Sequence, residues 1–387
     1  MALEGEPLGG APPGRRGIPF FATAAKGTEP GLRDELRELR LRGVRADRGG
    51  VHFAGELHDG FRACLESRIA VRILAEVGAF DARDGDALYA GVRAIDWAPY
   101  LTADRTLAVK ATTRSTGGLV HSRFVEQKTK DAVVDQLRER LGRRPSVDLV
   151  DPDLRIAVRV HDERATVYVD LSGESLHRRG WRTLVGEASL KETLAAALLR
   201  MSGWDRASPL VDPMCGAGTI AIEAATWARD LAPGLSRKRF GFERWPLHDA
   251  TLQAKIRALR EAAQARVRAA AAPIVARDVD RHALELARRN AEAAGVSVVF
   301  EHGEVRDLAA SAPPGTLVTN PPWGDRLQPE ATTYRDLGDT LVRLRDHAAC
   351  VLAGTPDIER AIHRKPARTH VVFNGPIECR ALVYLAG

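Results

Sequence analysis

Apolar residues recur along the chain with two different periods, and the change of period divides it. Phe20-Phe21-Ala22-Thr23 predicts a strand. Glu29-Pro30 then opens a helix in which Leu32, Leu36 and Leu39 repeat at i, i+4 and i+7, leaving the arginines outward. Gly43 marks the helix end and Val51-His52-Phe53 returns as a strand, so residues 18–72 read as a small α+β unit. Residues 73–173 form a second unit. A helix is expected over Asp86–Trp97, a strand over Thr106–Thr112, and a helix over Phe124–Leu141 with Val133, Leu137 and Leu141 on one face. Leu154–His161 and Thr166–Leu171 then alternate apolar and polar residues around Asp162-Glu163-Arg164, a hairpin pattern. Residues 174–189 are a connector.

From Leu190 to Gly387 the period changes again. Short, nearly continuous apolar runs are separated by helical stretches such as Thr219–Arg229 and Arg281–Ala294. The runs are Pro209-Leu210-Val211, Ile274-Val275-Ala276, Val298-Val299-Phe300, Thr316-Leu317-Val318 and Cys350-Val351-Leu352. Apolar strands alternating with helices predict a mostly parallel, doubly wound α/β sheet, in which ligands bind beyond the carboxyl ends of the strands.

Composition narrows the class. The 387 residues are 44% hydrophobic and 28% charged, a globular balance, and no apolar run reaches the length of a membrane span. Residues 1–17, rich in Gly, Pro and Ala without an apolar h-region, read as a flexible start and not a signal peptide. Cys64, Cys215, Cys350 and Cys379 form no C-x-x-C pair and have no His partner at ligand spacing, so neither a metal site nor a disulfide framework is expected. A reducing cytoplasm is the default. The net charge of +6 favours a polyanionic partner only weakly. Residues 101–150 are locally richer, with ten basic side chains against six acidic. Arg123, Lys128 and Lys130 on the predicted helix, and Arg178, Arg179 and Arg182 beside Trp181 in the connector, are the candidates for gripping phosphate and stacking on a base.

The chemistry-bearing residues fall just past the strand ends. Asp212-Pro213-Met214-Cys215-Gly216-Ala217-Gly218-Thr219 is a glycine turn running into a helix N-terminus, suited to close approach of a ligand. Its leading Asp212 disfavours a pyrophosphate and suits a ligand carrying an amino group and a sulfonium. Asp278, past the second strand, can accept from both ribose hydroxyls, and Asp307, past the third, from an adenine amine. The fourth strand runs into Thr319-Asn320-Pro321-Pro322-Trp323-Gly324-Asp325-Arg326. There the Asn320 side-chain oxygen and the Pro321 carbonyl can hold both hydrogens of a planar NH2 group while Trp323 stacks on its ring. Such hydrogen bonds draw the amine towards sp3 geometry and aim its lone pair at an electrophilic methyl group.

These two segments resemble the cofactor and catalytic motifs of THUMP-containing guanine-N2 RNA methyltransferases. The likeness extends to Phe20–Gly27, Gly49–Phe53, Lys130–Val134, Leu171–Gly173, Leu176–Gly180 and Lys191–Ala197, and so over nearly all of residues 18–387. It is strongest with the 23S ribosomal RNA guanine-N2 enzymes, including the N-terminal half of a larger fused enzyme; a tRNA branch shares the architecture. The resemblance implies a ferredoxin-like domain over 18–72, a THUMP RNA-binding domain over 73–173, and a Rossmann-like class I methyltransferase domain over 190–387. It implies S-adenosylmethionine as methyl donor, S-adenosylhomocysteine as product, no metal, and RNA as partner of a monomer. Asp212, Cys215, Gly216, Gly218, Thr219, Asp278 and Asp307 would then contact the cofactor, and Asn320, Pro321 and Trp323 would form the catalytic pocket. The family usually carries Tyr where this chain has Trp323, so stacking is retained without a phenolic hydroxyl. Since the sequence ends at Gly387, one modification is expected and not two. The alternatives are a tRNA guanine-N2 enzyme, a methyltransferase acting on adenine N6 in DNA or a glutamine amide, and a catalytically silent RNA-binding or ribosome-assembly factor.

Overall fold

Two sheets organise the protein. A computed structural model describes residues 17–114, 118–182, 190–323 and 332–387. Residues 1–16 of the expected flexible start, residues 183–189 of the connector and Gly324-Asp325-Arg326 of the last motif lie outside the described residues.

The first sheet begins with β1 (Ile18–Thr23), β2 (Arg42–Asp47), β3 (Gly50–Gly55) and β4 (Arg72–Asp81), interrupted by helices Glu29–Glu38 and Leu57–Glu66. Their order, β2-β3-β1-β4, is that of a ferredoxin-like unit. It continues without a break through β8 (Arg164–Asp170) and β7 (Leu154–His161) to β5 (Thr106–Arg114) and β6 (Ser146–Val147), giving eight strands. β4 belongs to both units, pairing with β1 on one side and β8 on the other. Helices Gly85–Arg93 and Ser122–Leu141 complete the second unit.

The first helix ends at Glu38 and not at Gly43. Arg40 turns left-handed at φ 55°, and β2, which has no apolar run to betray it, starts at Arg42. Gly43 serves instead at the register shift between β2 and β3, with φ 65°. A glycine signals left-handed backbone, and a bulge uses it as readily as a helix end. The Asp86–Trp97 helix also stops early, at Arg93, after Asp84 caps its start by accepting from the backbone N–H of Ala87 at 2.8 Å.

The second sheet contains β9 (Leu210–Asp212), β10 (Ile274–Asp278), β11 (Val299–His302), β12 (Thr316–Thr319) and β13 (Ala348–Ala353), all parallel, followed by the antiparallel hairpin β14 (Arg368–Asn374) and β15 (Ile377–Tyr384). The order is β11-β10-β9-β12-β13-β15-β14. Both faces are buried. Val318, Cys350, Leu352, Ala381 and Val383 enter one core, while Leu317, Ala349, Val351, Leu382 and Tyr384 enter another. Strand order reverses at β9, between β10 and β12, so a crevice opens at their carboxyl ends.

The two parts share a core. Phe61 of the ferredoxin-like unit packs tilted against Phe242 with ring centroids 3.9 Å apart, and Trp245 meets Tyr100 edge-on at 5.2 Å. Among the described residues no helix is long and apolar enough to cross a membrane.

Candidate active site

Asp212 ends β9, the central strand, and is buried. Burial pushes its carboxyl up to about 7; the Thr319 hydroxyl and the Met214 backbone N–H work against that rise, and Asp278 adds to it. A group held this close to neutrality takes full charge when a cation arrives. The turn after it is pinned from several sides. The backbone N–H of Cys215 donates to the Arg277 carbonyl at 2.9 Å, that of Gly216 donates to Asp278 Oδ2 at 2.8 Å, and Asn290 Nδ2 donates to the Ala217 carbonyl at 3.2 Å. Gly218 has φ 82°, and a Cβ there would lie 2.9 Å from that of Ala287, so the turn requires glycine. Gly216, at φ 51°, faces open space.

Asp278 is committed on both oxygens, Oδ1 accepting from Asp280 N at 2.9 Å; burial raises its carboxyl as well. Each oxygen keeps a second lone pair for a ligand hydroxyl. Asp307 lies in a short 3-10 turn beyond β11 and is exposed. Thr219 is buried, and its hydroxyl already accepts from Arg182 Nη2 at 2.8 Å. Cys215 is buried, and burial raises its thiol.

Asn320 directly follows β12, the parallel neighbour of β9, and lies past the level of Asp212, because Val211 pairs with Leu317. Its Oδ1 is not free: Trp323 Nε1 donates to it at 2.9 Å. Gly354, just past β13, lies flat against that indole, where a Cβ would come within 2.2 Å of the ring. The loop is further held by Tyr334, whose hydroxyl donates to the Pro322 carbonyl at 2.7 Å. Sequence reading passed over Asn290, Tyr334 and Gly354. Gly354 alone carried a signal, a glycine directly after an apolar strand.

The connector cations depart most from expectation. Arg179 is 2% exposed. It donates to both oxygens of Glu223 at 3.1 and 3.3 Å, to the Leu176 carbonyl at 2.7 Å and to the Arg68 carbonyl at 2.5 Å. Arg68, held down to about 10 by burial, donates in turn to Thr226 Oγ1 and to the Leu231 carbonyl. Arg182 pairs with Glu192 at 3.0 Å, and Trp181 is buried. Arg179 therefore joins the two halves, while Arg182 and Trp181 are tied into the second; of the four, Arg178, beside Glu174, is the exposed one. On helix Ser122–Leu141, Arg123 is exposed, Lys128 lies 3.4 Å from Asp86 and Lys130 lies 2.6 Å from Asp131.

A sheet of this order, with an acidic glycine turn after its first strand and Asn-Pro-Pro-Trp after its fourth, defines a Rossmann-like methyltransferase. The chain belongs to the RMKL-like methyltransferase domain family, whose model matches residues 179–382. Residues 82–170 match the THUMP domain and residues 19–74 the RlmL ferredoxin-like domain. The chain is 43% identical to the ribosomal RNA large subunit methyltransferase K/L of Syntrophotalea carbinolica and 42% identical to that of Methylococcus capsulatus, in each case over 94% of this chain. It spans about half the length of these curated relatives, 53% and 51%. Among solved structures, SMU.472 in complex with SAH shares 30% identity at a TM-score of 0.84, over 96% of this chain and 99% of that one. A Listeria monocytogenes protein described as a predicted N6-adenine-specific DNA methylase shares 28% at 0.85, over 96% and 97%.

Proposed function

We propose that the chain transfers a methyl group from S-adenosylmethionine to the exocyclic N2 amine of a guanine in 23S ribosomal RNA. The observation carrying this reading is the placement of Asp212 and Asn320 at the carboxyl ends of the neighbouring strands β9 and β12, on the same edge of the sheet. A cation-accepting carboxyl and an amide that accepts hydrogen bonds thereby line the same crevice. The residues fit the cofactor: Asp212 is a buried carboxyl with no ion-pair partner among the described residues, and Gly216 leaves room where any side chain would intrude. SMU.472 was solved with SAH bound. When bound, S-adenosylmethionine supplies an electrophilic methyl group.

The remaining chemistry belongs to the chain. Asp212 takes a positively charged amino group, Asp278 the ribose hydroxyls, and Asp307 the adenine edge. Asn320 Oδ1 has a second lone pair beyond the one given to Trp323, and this accepts one hydrogen of the target amine while the Pro321 carbonyl accepts the other. The amine's lone pair is thereby aimed without prior deprotonation, and the proton leaves after transfer. With Gly354 on one side of the indole, the opposite face takes the base. The ferredoxin-like and THUMP units hold the RNA so that the guanine reaches this pocket.

The ribosomal substrate is carried by the names of the 43% and 42% identical relatives. The Listeria neighbour's name favours a second reading, adenine N6, because the same pocket fits either amine. Incubation with bulk RNA, followed by mass spectrometry of nucleosides, decides between them. N2-methylguanosine is expected, and N6-methyladenosine would overturn the guanine assignment. Asn320→Ala should cut turnover about 10²–10³-fold, as loss of one preorganised hydrogen-bonding group does elsewhere, with RNA binding retained. Near-normal turnover would remove Asn320 from the mechanism.

A further inference from the structure

The four N-terminal helices pack on one face of the eight-stranded sheet. Leu32, Phe61, Leu88 and Val133 meet Phe20, Phe53, Val109, Val158 and Val167 there in a single core. Side chains alternate along each strand, so the next residue in every case stands on the opposite face, where no helix of the described residues lies.

That face is not bland. Phe21 on β1 and His52 on β3 are directly opposed in register, with ring centroids 4.8 Å apart. Tyr168 on β8 continues the row, 6.5 Å from Phe21. Arg159 on β7 lays its guanidinium 4.2 Å from the centre of the Phe21 ring. Arg45 on β2, opposite His52, is exposed and has no hydrogen-bond or ion-pair partner among the described residues. Arg164 on β8 touches Asp81 at 3.3 Å, both side chains being mostly exposed, and such a pair yields readily to a phosphate. A groove of about 430 Å³ runs between them, lined by Arg45, His52, Arg164, Thr166 and Tyr168 with Glu76.

The electrostatics follow from this crowding. Burial holds His52 below its ordinary value, and Arg45 and Arg159 add to that against the pull of Asp47, which lies 3.0 Å from the ring. The imidazole is neutral at pH 7 and offers an uncharged flat surface between cations. Phe21 and Tyr168 are buried beneath these side chains, and His52 is the partly exposed ring of the row, flanked by arginines as in sheets that stack a base and track a backbone.

We propose that this open face is the docking surface for a single-stranded RNA segment. Arg45, Arg159 and Arg164 meet its phosphates, and His52, beside Phe21, carries a base. The inference rests on the RNA reading above and moves the contact away from the connector, where Arg179 and Arg182 are spent inside the fold.

The test uses the full chain and a fluorescein-labelled 12-residue oligouridylate, titrated over a range of KCl concentrations, with thermal melting as the check on folding. Combining Arg45→Ala, Arg159→Ala and Arg164→Ala should weaken binding at least about tenfold and flatten the slope of log K against log salt by about 2, at about 0.7 per lost phosphate contact. Arg45→Ala alone removes an exposed side chain with no partner, so it should keep the wild-type melt and flatten the slope by about 0.7. A normally folded variant of either kind with wild-type affinity and slope would overturn the proposal while leaving the methyltransferase reading intact. Wild-type protein that ignores the oligonucleotide but binds a duplex would overturn the single-strand assignment alone. Binding of neither would sink the RNA reading itself.

Discussion

The two sheets bury their strands in opposite ways. In the seven-stranded sheet consecutive residues enter different cores, Leu317 one and Val318 the other, so nothing but the strand ends remains for a ligand. In the eight-stranded sheet Phe20 enters the core while Phe21 joins only a thin cluster with Leu74 and Tyr168, roofed by Arg159 and not by a second layer of helices. A parallel sheet covered on both faces concentrates function at its carboxyl edge, where every strand delivers a single residue to a point. A one-sided sheet offers a broad area instead. The first geometry suits a reacting atom and the second a polymer.

Arginine shows the same division, and the largest expected effect breaks it. Arg179 is enclosed with Arg68 and Glu223 at the junction of the two halves, whereas Arg45 stands free on the open face. Arg179→Ala leaves Glu223 buried beside one distant guanidinium and strips the Arg68 carbonyl of its donor. Breaking a buried pair from one side costs about 3–5 kcal/mol. Urea melts of the full chain should show that loss for Arg179→Ala and no measurable loss for Arg45→Ala. Equal stabilities would mean that the junction does not depend on these charges.

Asp212 sharpens the comparison from the other side, because its strand-end position sets function against stability. Its carboxyl lies at about 7 in the folded chain and near the ordinary carboxylate value when unfolded. Between those values the folded state binds more protons, so stability declines as pH rises through this window and is lowest above it. Asp212→Asn removes that penalty. The variant should melt higher than wild type at pH 8, with the difference shrinking towards pH 5. It should also lose affinity for S-adenosylmethionine, which in the wild type tightens as pH rises from about 6 to about 8 because the charged carboxylate is the binding form. Calorimetry showing pH-independent affinity in the wild type would separate Asp212 from the cofactor's cation.

What the sequence disclosed follows the same line. Strands buried on both faces are continuous apolar runs, so β9, β10, β11, β12 and β13 were placed within two residues. Strands with a bare or edge face were harder to see. β2, Arg-Gly-Val-Arg-Ala-Asp, is mostly polar, and β6 has two residues; neither was found. The hairpin β14–β15 was missed although β15 ends in Ala-Leu-Val-Tyr, because its first half alternates and blurs the run. At the site, residue types at strand ends pointed to positions that the fold gathers at one edge of the sheet, but the partners each side chain chooses did not follow. Thr219 is claimed by Arg182 and Asn320 by Trp323, contacts that depend on how a loop folds back and leave no period in the sequence. The connector misled for a related reason. Clustered arginines with an indole look the same whether they meet phosphate or buried carbonyls.

The smallest expected effect concerns the Trp323–Asn320 bond. An indole N–H on Asn320 Oδ1 fixes which end of the amide faces the crevice, a choice that the amide could otherwise make either way. Trp323→Phe keeps an aromatic face against Gly354 and deletes the donor. A neutral hydrogen bond contributes about 0.5–1.5 kcal/mol, so turnover should fall about 2- to 12-fold with KM for RNA little changed. Trp323→Tyr tests whether a phenol can replace the indole donor. Trp323→Ala removes the stacking surface too, and KM should then rise with the drop in kcat. If Phe and Ala behaved alike, Trp323 would serve only as a face for the base. If Phe matched the wild type, Asn320 would need no help in holding its orientation, and the loop contacts from Tyr334 would suffice.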